Sequence, residues 1–173
     1  MTTQKKLSNK YFSDKQEAMI ADYLGWGQIS GSGSRPFAPG DVRAEHWLGE
    51  CKTHNTERPT VAFIKAHWFK IREEAAAKNR YPVLFVDNGT QQAQNTWVMT
   101  PVSLFDPTTL NVIEGPKNTS TKGNSLTFDL ASTNILYKHE KVDNKITVFK
   151  IHWDRDLAVM PLSTFKEFFE ESF

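Results

Sequence analysis

The run Tyr81-Pro-Val-Leu-Phe-Val-Asp87 restricts the fold more than any other stretch of this chain. It is almost entirely apolar, without the polar alternation of a strand that has one wet face, so it reads as a central strand covered on both sides. The residues before it supply one cover. Ala62, Ile64 or Lys65, Trp68, Ile71 and Ala75 recur at helical spacing, and Glu73, Glu74 and Ala75–Ala77 suit helix interiors. The spacing predicts a helix over 61–78, capped by Thr60 and closed near Asn79. After the central strand, Asn88-Gly89 signals a turn and Thr96–Thr100 the next strand. A helix feeding a doubly buried strand implies an α/β layer with a mixed sheet.

Upstream, residues 1–12 read as a loose basic arm. Ser13 with Gln16 makes a capping box, and Ala18, Met19, Ile20, Tyr23 and Leu24 form an apolar stripe ending at Gly25 or Gly27. Gln28-Ile29 begins a short strand. Ser30-Gly-Ser-Gly-Ser-Arg35-Pro36 has few groups to bury and high backbone entropy, so no regular structure is expected there. Asp41–Ala44 and Trp47–Thr53 read as two strands turning near Glu45-His46, and His54–Pro59 as a polar loop.

Downstream, residues 105–125 read as loop, and Leu126–Leu130, Ile135–His139 and Lys145–Trp153 as strands, with a turn at 142–145 between the last two. Thr164 with Glu167 makes a second capping box, and Leu162, Phe165, Phe168 and Phe169 give a final helix its stripe. Val98–Phe105 echoes Ala158–Phe165: in each a strand-like run meets a proline and then a helix start. Eight positions are too few for a repeat; one local solution is used twice. The organisation expected is an arm (1–12), a core (13–100) and a β-plus-helix extension (101–173) packed on the same domain.

With 173 residues, 39% of them hydrophobic and 24% charged, the chain suffices for one soluble domain with a real core. Cys51 is the only cysteine, so no internal disulfide forms, in keeping with a reducing compartment. The first residues lack an apolar h-region, and no apolar run reaches the ~18 residues of a membrane span. A cytoplasmic protein is expected. Charge is uneven: residues 1–80 hold 13 Lys/Arg and 9 Asp/Glu, residues 81–173 hold 8 and 11. The positive half is compatible with a nucleic-acid face.

That half also carries Gly40-Asp41 and Glu50-Cys51-Lys52. Asp41 and Glu50 are hard oxygen ligands of the kind Mg²⁺ prefers. In a strand over 47–53, the period of two places Glu50 and Lys52 on one face. Two carboxylates and a lysine suit metal-assisted phosphodiester hydrolysis, the lysine holding the water or offsetting charge at phosphorus. Such a spacing also arises by accident. His46, His54 and His67 contain no tight ligand pair, so zinc is not expected. His54, past Lys52 on the same face, is a candidate phosphate contact, and Thr53 a weaker one. His67 precedes the core residue Trp68 and reads as packing or surface.

Taken in order, Gln16-Glu17, Ser30–Arg35, Pro39-Gly-Asp-Val42 and Glu50-Cys-Lys52 resemble the archaeal and phage Holliday-junction resolvase family, nucleases of the restriction-endonuclease-like fold with a PD…(D/E)xK site. The resemblance covers roughly residues 13–100. It implies a central mixed sheet flanked by helices, a Mg²⁺-dependent endonuclease (Mn²⁺ substituting), branched or duplex DNA as substrate, and a homodimer in a prokaryotic or phage-infected cell. Carried over, Glu17 is the helix acid, Asp41 the motif aspartate, Glu50 the second acid and Lys52 the lysine. The backbone carbonyl of Cys51 is a further ligand, and one of Ser30, Ser32 or Ser34 is the loop serine that reaches the junction backbone. Arg35 and Lys10 are the cations expected to hold duplex arms. Asp14 competes with Glu17 for the helix role, but it falls in the expected first turn, where capping already favours a carboxylate. Gln16 is a polar candidate beside the site.

The short Asp41–Glu50 hairpin and residues 101–173 depart from the family's compact core. The extra length bears on junction selectivity more than on nuclease chemistry. Rival readings are a restriction- or repair-type nuclease on linear or damaged DNA, a DNA-binding module without catalysis, and an interaction domain using the aromatic stripe Phe165, Phe168, Phe169 and Phe173.

Overall fold

A computed structural model describes residues 6–29 and 39–173. Its architecture is mixed α/β: an eight-stranded mixed sheet with helices on both faces, and a two-stranded sheet against one face.

The chain opens with α1 (Asn9–Leu24), so residues 9–12 are helical rather than part of an arm. Its cap is Ser8, whose hydroxyl accepts from the Tyr11 N–H at 3.3 Å; Ser13 lies inside the helix. Gly25, at φ 70°, closes it in the left-handed conformation that glycine adopts without Cβ strain. Then come β1 (Gly27–Gln28), β2 (Val42–Arg43) and β3 (Trp47–Lys52), the last two joined by a tight hairpin over Glu45-His46.

The expected helix over 61–78 divides. Thr60–Ile64 is strand β4, and only Lys65–Ala77 is helix α2. The alternation of buried Val61 and Phe63 within a β-branched run wins in the first half, and Trp68, Ile71 and Ala75 carry the helical stripe in the second. Asn79 follows at φ 58°, where the backbone turns out of the helix. Strand β5 (Tyr81–Val86) is the expected central strand, with Val83, Leu84 and Phe85 fully buried.

Beyond β6 (Trp97–Pro101), the stretch read as loop contains β7 (Leu110–Ile113). Strand β8 (Ser125–Asp129) pairs with β4. The expected strand at 135–139 is instead part of helix α3 (Leu130–Glu140). Asp129 caps it by accepting from the Ser132 N–H at 2.9 Å, and its buried residues Leu130, Thr133 and Tyr137 recur at helical spacing. The alternation of Ile135, Tyr137 and His139 misleads because Ile135 faces solvent. Strands β9 (Ile146–Trp153) and β10 (Arg155–Pro161) form a hairpin, and α4 (Leu162–Ser172) closes the chain, starting directly after Pro161 rather than at a Thr164 cap.

The sheet order is β1-β2-β3-β5-β6-β10-β9-β7, parallel at β3/β5 and β7/β9 and antiparallel elsewhere. Strand β10 inserts between β6 and β9, so residues beyond 101 build the same sheet as those before it. The sequence echo has a spatial meaning: β6 and β10 pair directly, Leu157 opposite Pro101 and Pro161 opposite Trp97, and each runs into a helical turn. On one face, Ile20 and Leu24 of α1 pack with Phe165 and Phe168 of α4. On the other, Trp68 and Ile71 of α2 pack with Phe63, Phe128 and Tyr137. The C-terminal aromatic stripe is therefore largely core: Phe165 and Phe168 are buried, and Phe173 packs on Trp47 and Tyr81. Among the described residues no helix is long and apolar enough to cross a membrane.

Candidate functional site

Strand β3 sets the site through its alternation. Trp47 and Cys51 join the core on the α1/α4 face, whereas Leu48 points to the α2 face. Glu50 and Lys52 share the parity of Leu48 and meet in an ion pair at 3.2 Å. Asp41 is brought alongside by the hairpin. Its backbone N–H donates to the Gly49 carbonyl at 2.8 Å, and its carboxylate Oδ2 accepts from the Cys51 N–H at 2.9 Å. Gly40 makes this approach possible: at φ 75°, an added Cβ would meet Leu48 Cδ1 at 2.7 Å.

Helix α1 supplies Glu17 from the neighbouring layer. Gln16, fully buried beside it, donates from Nε2 to the Lys52 carbonyl at 2.6 Å and so ties the helix to the end of β3. Glu17 is buried and close enough to Asp41 to feel its charge, whereas Asp14 is exposed and paired with Lys10 at 2.7 Å. Burial and then the Asp41 charge push the Glu17 carboxyl up to about 7. The same two causes push Glu50 up, opposed by Lys52 and Lys70. Burial pushes the Cys51 thiol well up as well, and the thiol belongs to the core while its backbone serves the site.

The sequence reading passed over α2's contribution. Lys70 Nζ lies 3.4 Å from Glu50 and 3.6 Å from Glu74, and Glu74 Oε2 accepts from the Gly40 N–H at 3.0 Å. Burial works against the Lys70 charge, but Glu50 and Glu74 outweigh it and raise its pKa. His67, a turn earlier, is lowered by burial and then by Lys52 and Lys70, which places it beside the same cluster. The available signal was the spacing of His67, Lys70 and Glu74, one residue out of phase with the apolar stripe.

A second group overlooked in the sequence lies just past Lys52. Asp87, fully buried at the end of β5, accepts from Thr53 Oγ1 at 2.6 Å and from the Gly89 N–H at 2.7 Å. The Gln91 side-chain amide donates to Thr53 Oγ1, the His54 carbonyl and the Gly89 carbonyl, at 2.9, 3.0 and 2.9 Å. His54 is half-buried, and burial followed by Arg58 lowers its pKa. Ser30, Ser32, Ser34 and Arg35 lie outside the described residues.

The geometry thus brings Glu17, Asp41, Glu50, Cys51 and Lys52 together, leaves Lys10 exposed on α1 and puts His54 at the strand's far end. Among the described residues no three His, Cys, Asp or Glu side chains form a ready metal cluster. Asp41 is occupied by a backbone N–H and Glu50 by lysines. No family model, curated protein or solved structure matches this chain.

Proposed function

We propose that this protein is a Mg²⁺-dependent endodeoxyribonuclease with a restriction-endonuclease-like core, acting on branched DNA and foremost on four-way junctions. The observation that carries the reading is that Glu17, Asp41 and Glu50, from three chain segments, are all buried, with the Asp41 charge bearing on both Glu17 and Glu50. Crowded carboxylates are relieved by a proton or by a cation, and the donors here are the hard oxygens Mg²⁺ or Mn²⁺ takes. Asp41, Glu50, the Cys51 carbonyl and Glu17 would hold the ion. When bound, it supplies a polarised phosphoryl oxygen and a water of lowered pKa.

The chain's own residues do the rest. Lys52, paired to Glu50 at 3.2 Å, is positioned to orient a water and to offset negative charge developing at phosphorus. Lys70 neutralises Glu50 from the other side, and a cation held there would take its place. Gln16 fixes the Lys52 backbone so that the ammonium starts from a defined place. Selectivity for branched DNA would rest on the Ser30–Ser34 segment with Arg35, and a two-fold substrate calls for a homodimer.

One gel tests the reading. Equal amounts of four-way junction, fork, linear duplex and single strand are incubated with protein and Mg²⁺, alongside the Asp41→Asn variant. Paired, symmetric nicks near the junction centre, absent from the variant although it still binds DNA, support the proposal. Equal cutting of linear duplex removes the junction claim and leaves a restriction- or repair-type nuclease. Wild-type-like cutting by the variant ends the nuclease reading. Sedimentation showing only a 19.8 kDa monomer, with and without junction DNA, removes the dimer.

A further inference from the structure

Strand β3 ends at Lys52, and beyond it lies a pocket of about 230 Å³ lined by Asn9, Phe12 and Ser13 of α1 and by Thr53, His54 and Asn55. It lies along the same face of α1 as the candidate active site: Asn9, Ser13, Gln16 and Glu17 follow one another at helical spacing. It also occupies the place where open α/β sheets bind ligands, outside the carboxyl ends of adjacent parallel strands, here β3 and β5.

The pocket wall is held in advance. Residues 53–54 are clamped from below by the buried Asp87–Gln91 network, and Gln91 adopts φ 53°, a left-handed conformation uncommon for a residue with a side chain. The Asn55 amide donates to Asn9 Oδ1 at 3.3 Å, which bridges the loop to α1 across the mouth. A buried polar network and a strained residue that fix a half-exposed loop are what a binding surface requires.

The lining also selects the occupant. It offers two carboxamides, two hydroxyls, an imidazole and a phenyl ring, with Tyr11 edge-on to Phe12 at 5.2 Å outside it. Among the described residues no lysine or arginine lines it, whereas phosphate sites rely on such cations. An aromatic face beside amide and hydroxyl donors and acceptors is the chemistry that takes an unstacked nucleobase. At a strand's rise of about 3.3 Å per residue, His54 is at most about 13 Å from Glu50, within reach of nucleotides near a scissile phosphate.

Resting on the nuclease reading above, we propose that this pocket is a nucleobase subsite: it takes an unpaired base of the cut strand close to the scissile phosphate, stacked against Phe12 and held at its edge by Asn9, Asn55 and His54. Branched DNA offers such bases at its centre without the unpairing that a duplex demands.

The test replaces each nucleotide around the cleavage position, one at a time, by an abasic residue. Affinity is measured in EDTA with metal-free protein, and cleavage separately with Mg²⁺. The wild type should lose about ten-fold in affinity at one flanking position, the stacking of a single base. Phe12→Ala should bind intact DNA about ten-fold more weakly and be indifferent to the abasic residue at that position, and Asn55→Ala, which loses an edge contact but keeps the ring, should bind intact DNA a few-fold more weakly with a smaller abasic penalty than the wild type. Phe12→Leu, which keeps the volume and loses the aromatic face, should match Phe12→Ala while melting like the wild type. Variants that weaken binding yet keep the wild-type abasic profile, or a wild type with no sensitive position, overturn the subsite and leave the nuclease intact. A wild type that neither binds nor cuts any of these DNAs overturns both.

Discussion

Two buried acidic centres lie at the ends of neighbouring strands, and they are built in opposite ways. Asp87 is a single carboxyl whose Oδ1 has fixed donors, the Thr53 hydroxyl and the Gly89 N–H, with the Gln91 N–H nearby, while its Oδ2 is buried without a hydrogen-bond partner among the described residues, and no carboxylate figures among the causes of its shift. Burial raises its pKa and those hydrogen bonds pull it back. At the other centre burial and then the Asp41 charge raise both Glu17 and Glu50, and what opposes the shift at Glu50 is a pair of lysine tips, Lys52 and Lys70. Asp87 is held by rigid donors from the loop it organises. Glu50 has Asp41 on one side and two lysine tips on the other, and an arriving cation would displace those tips.

The largest effects should fall on opposite measurements for the two centres. Asp41→Asn should lower the cleavage rate by about 10³-fold or more, because one of the few groups that would hold the ion loses its charge. Its melting point should stay near or above that of the wild type, since a repelling charge has gone. Asp87→Ala should do the reverse. It strands the Thr53 hydroxyl and the Gly89 and Gln91 N–H groups in a buried place, at about 2–3 kcal/mol in urea unfolding. Near-wild-type stability of Asp87→Ala would break the comparison.

Lys70 should give a smaller and mixed effect. In Lys70→Met, Glu50 keeps Lys52 as its one cation within 4 Å among the described residues, and Glu74 loses its ion-pair partner at 3.6 Å. The metal-free protein should lose about 1 kcal/mol, discounted because Lys70 is half exposed. Mg²⁺ should bind several-fold tighter by calorimetry, since the ion no longer displaces an ammonium. Weaker Mg²⁺ binding in this variant would show that Lys70 helps to hold the site rather than competing for it.

How much of this was legible in the residues follows from which forces act locally. The central strand, the β2–β3 hairpin and the shared face of Glu50 and Lys52 were readable because side-chain parity and apolar content act over a few residues. The split of 60–78 into β4 and α2 was not, since Thr60–Ile64 becomes strand only by pairing with β8, more than sixty residues away. Helix α3 was misread for a related reason: Ile135 is apolar yet exposed, which imitates alternation. Lys70 and Glu74 were hidden because helical polar residues usually face water, and only the packing of α2 against β3 turns this pair toward Gly40 and Glu50. Asp87 closes a strand that looks purely structural, and its role depends on a loop 34 residues earlier.

The smallest effect is also the most diagnostic of the crowding. Glu17 has an ordinary carboxyl pKa of 4.5 when unfolded and one near 7 when folded, so the folded metal-free protein holds its proton more tightly than the unfolded chain. Stability from that proton is complete below about pH 4.5 and is lost as the pH climbs through about 7. Glu17→Gln carries no proton to lose. Its metal-free melting point should decline less than that of the wild type across this window. The difference should be on the order of 1 kcal/mol, or about 2–4 °C for a chain of this size, the full shift being reduced by water on the open side of the site. Mg²⁺ should then stabilise the wild type more at pH 8 than at pH 5.5, and Glu17→Gln less at both. Parallel melting curves for the two proteins from pH 4.5 to 8, with equal gains from Mg²⁺, would mean that Glu17 is only a buried helix residue and stands apart from Asp41 and Glu50.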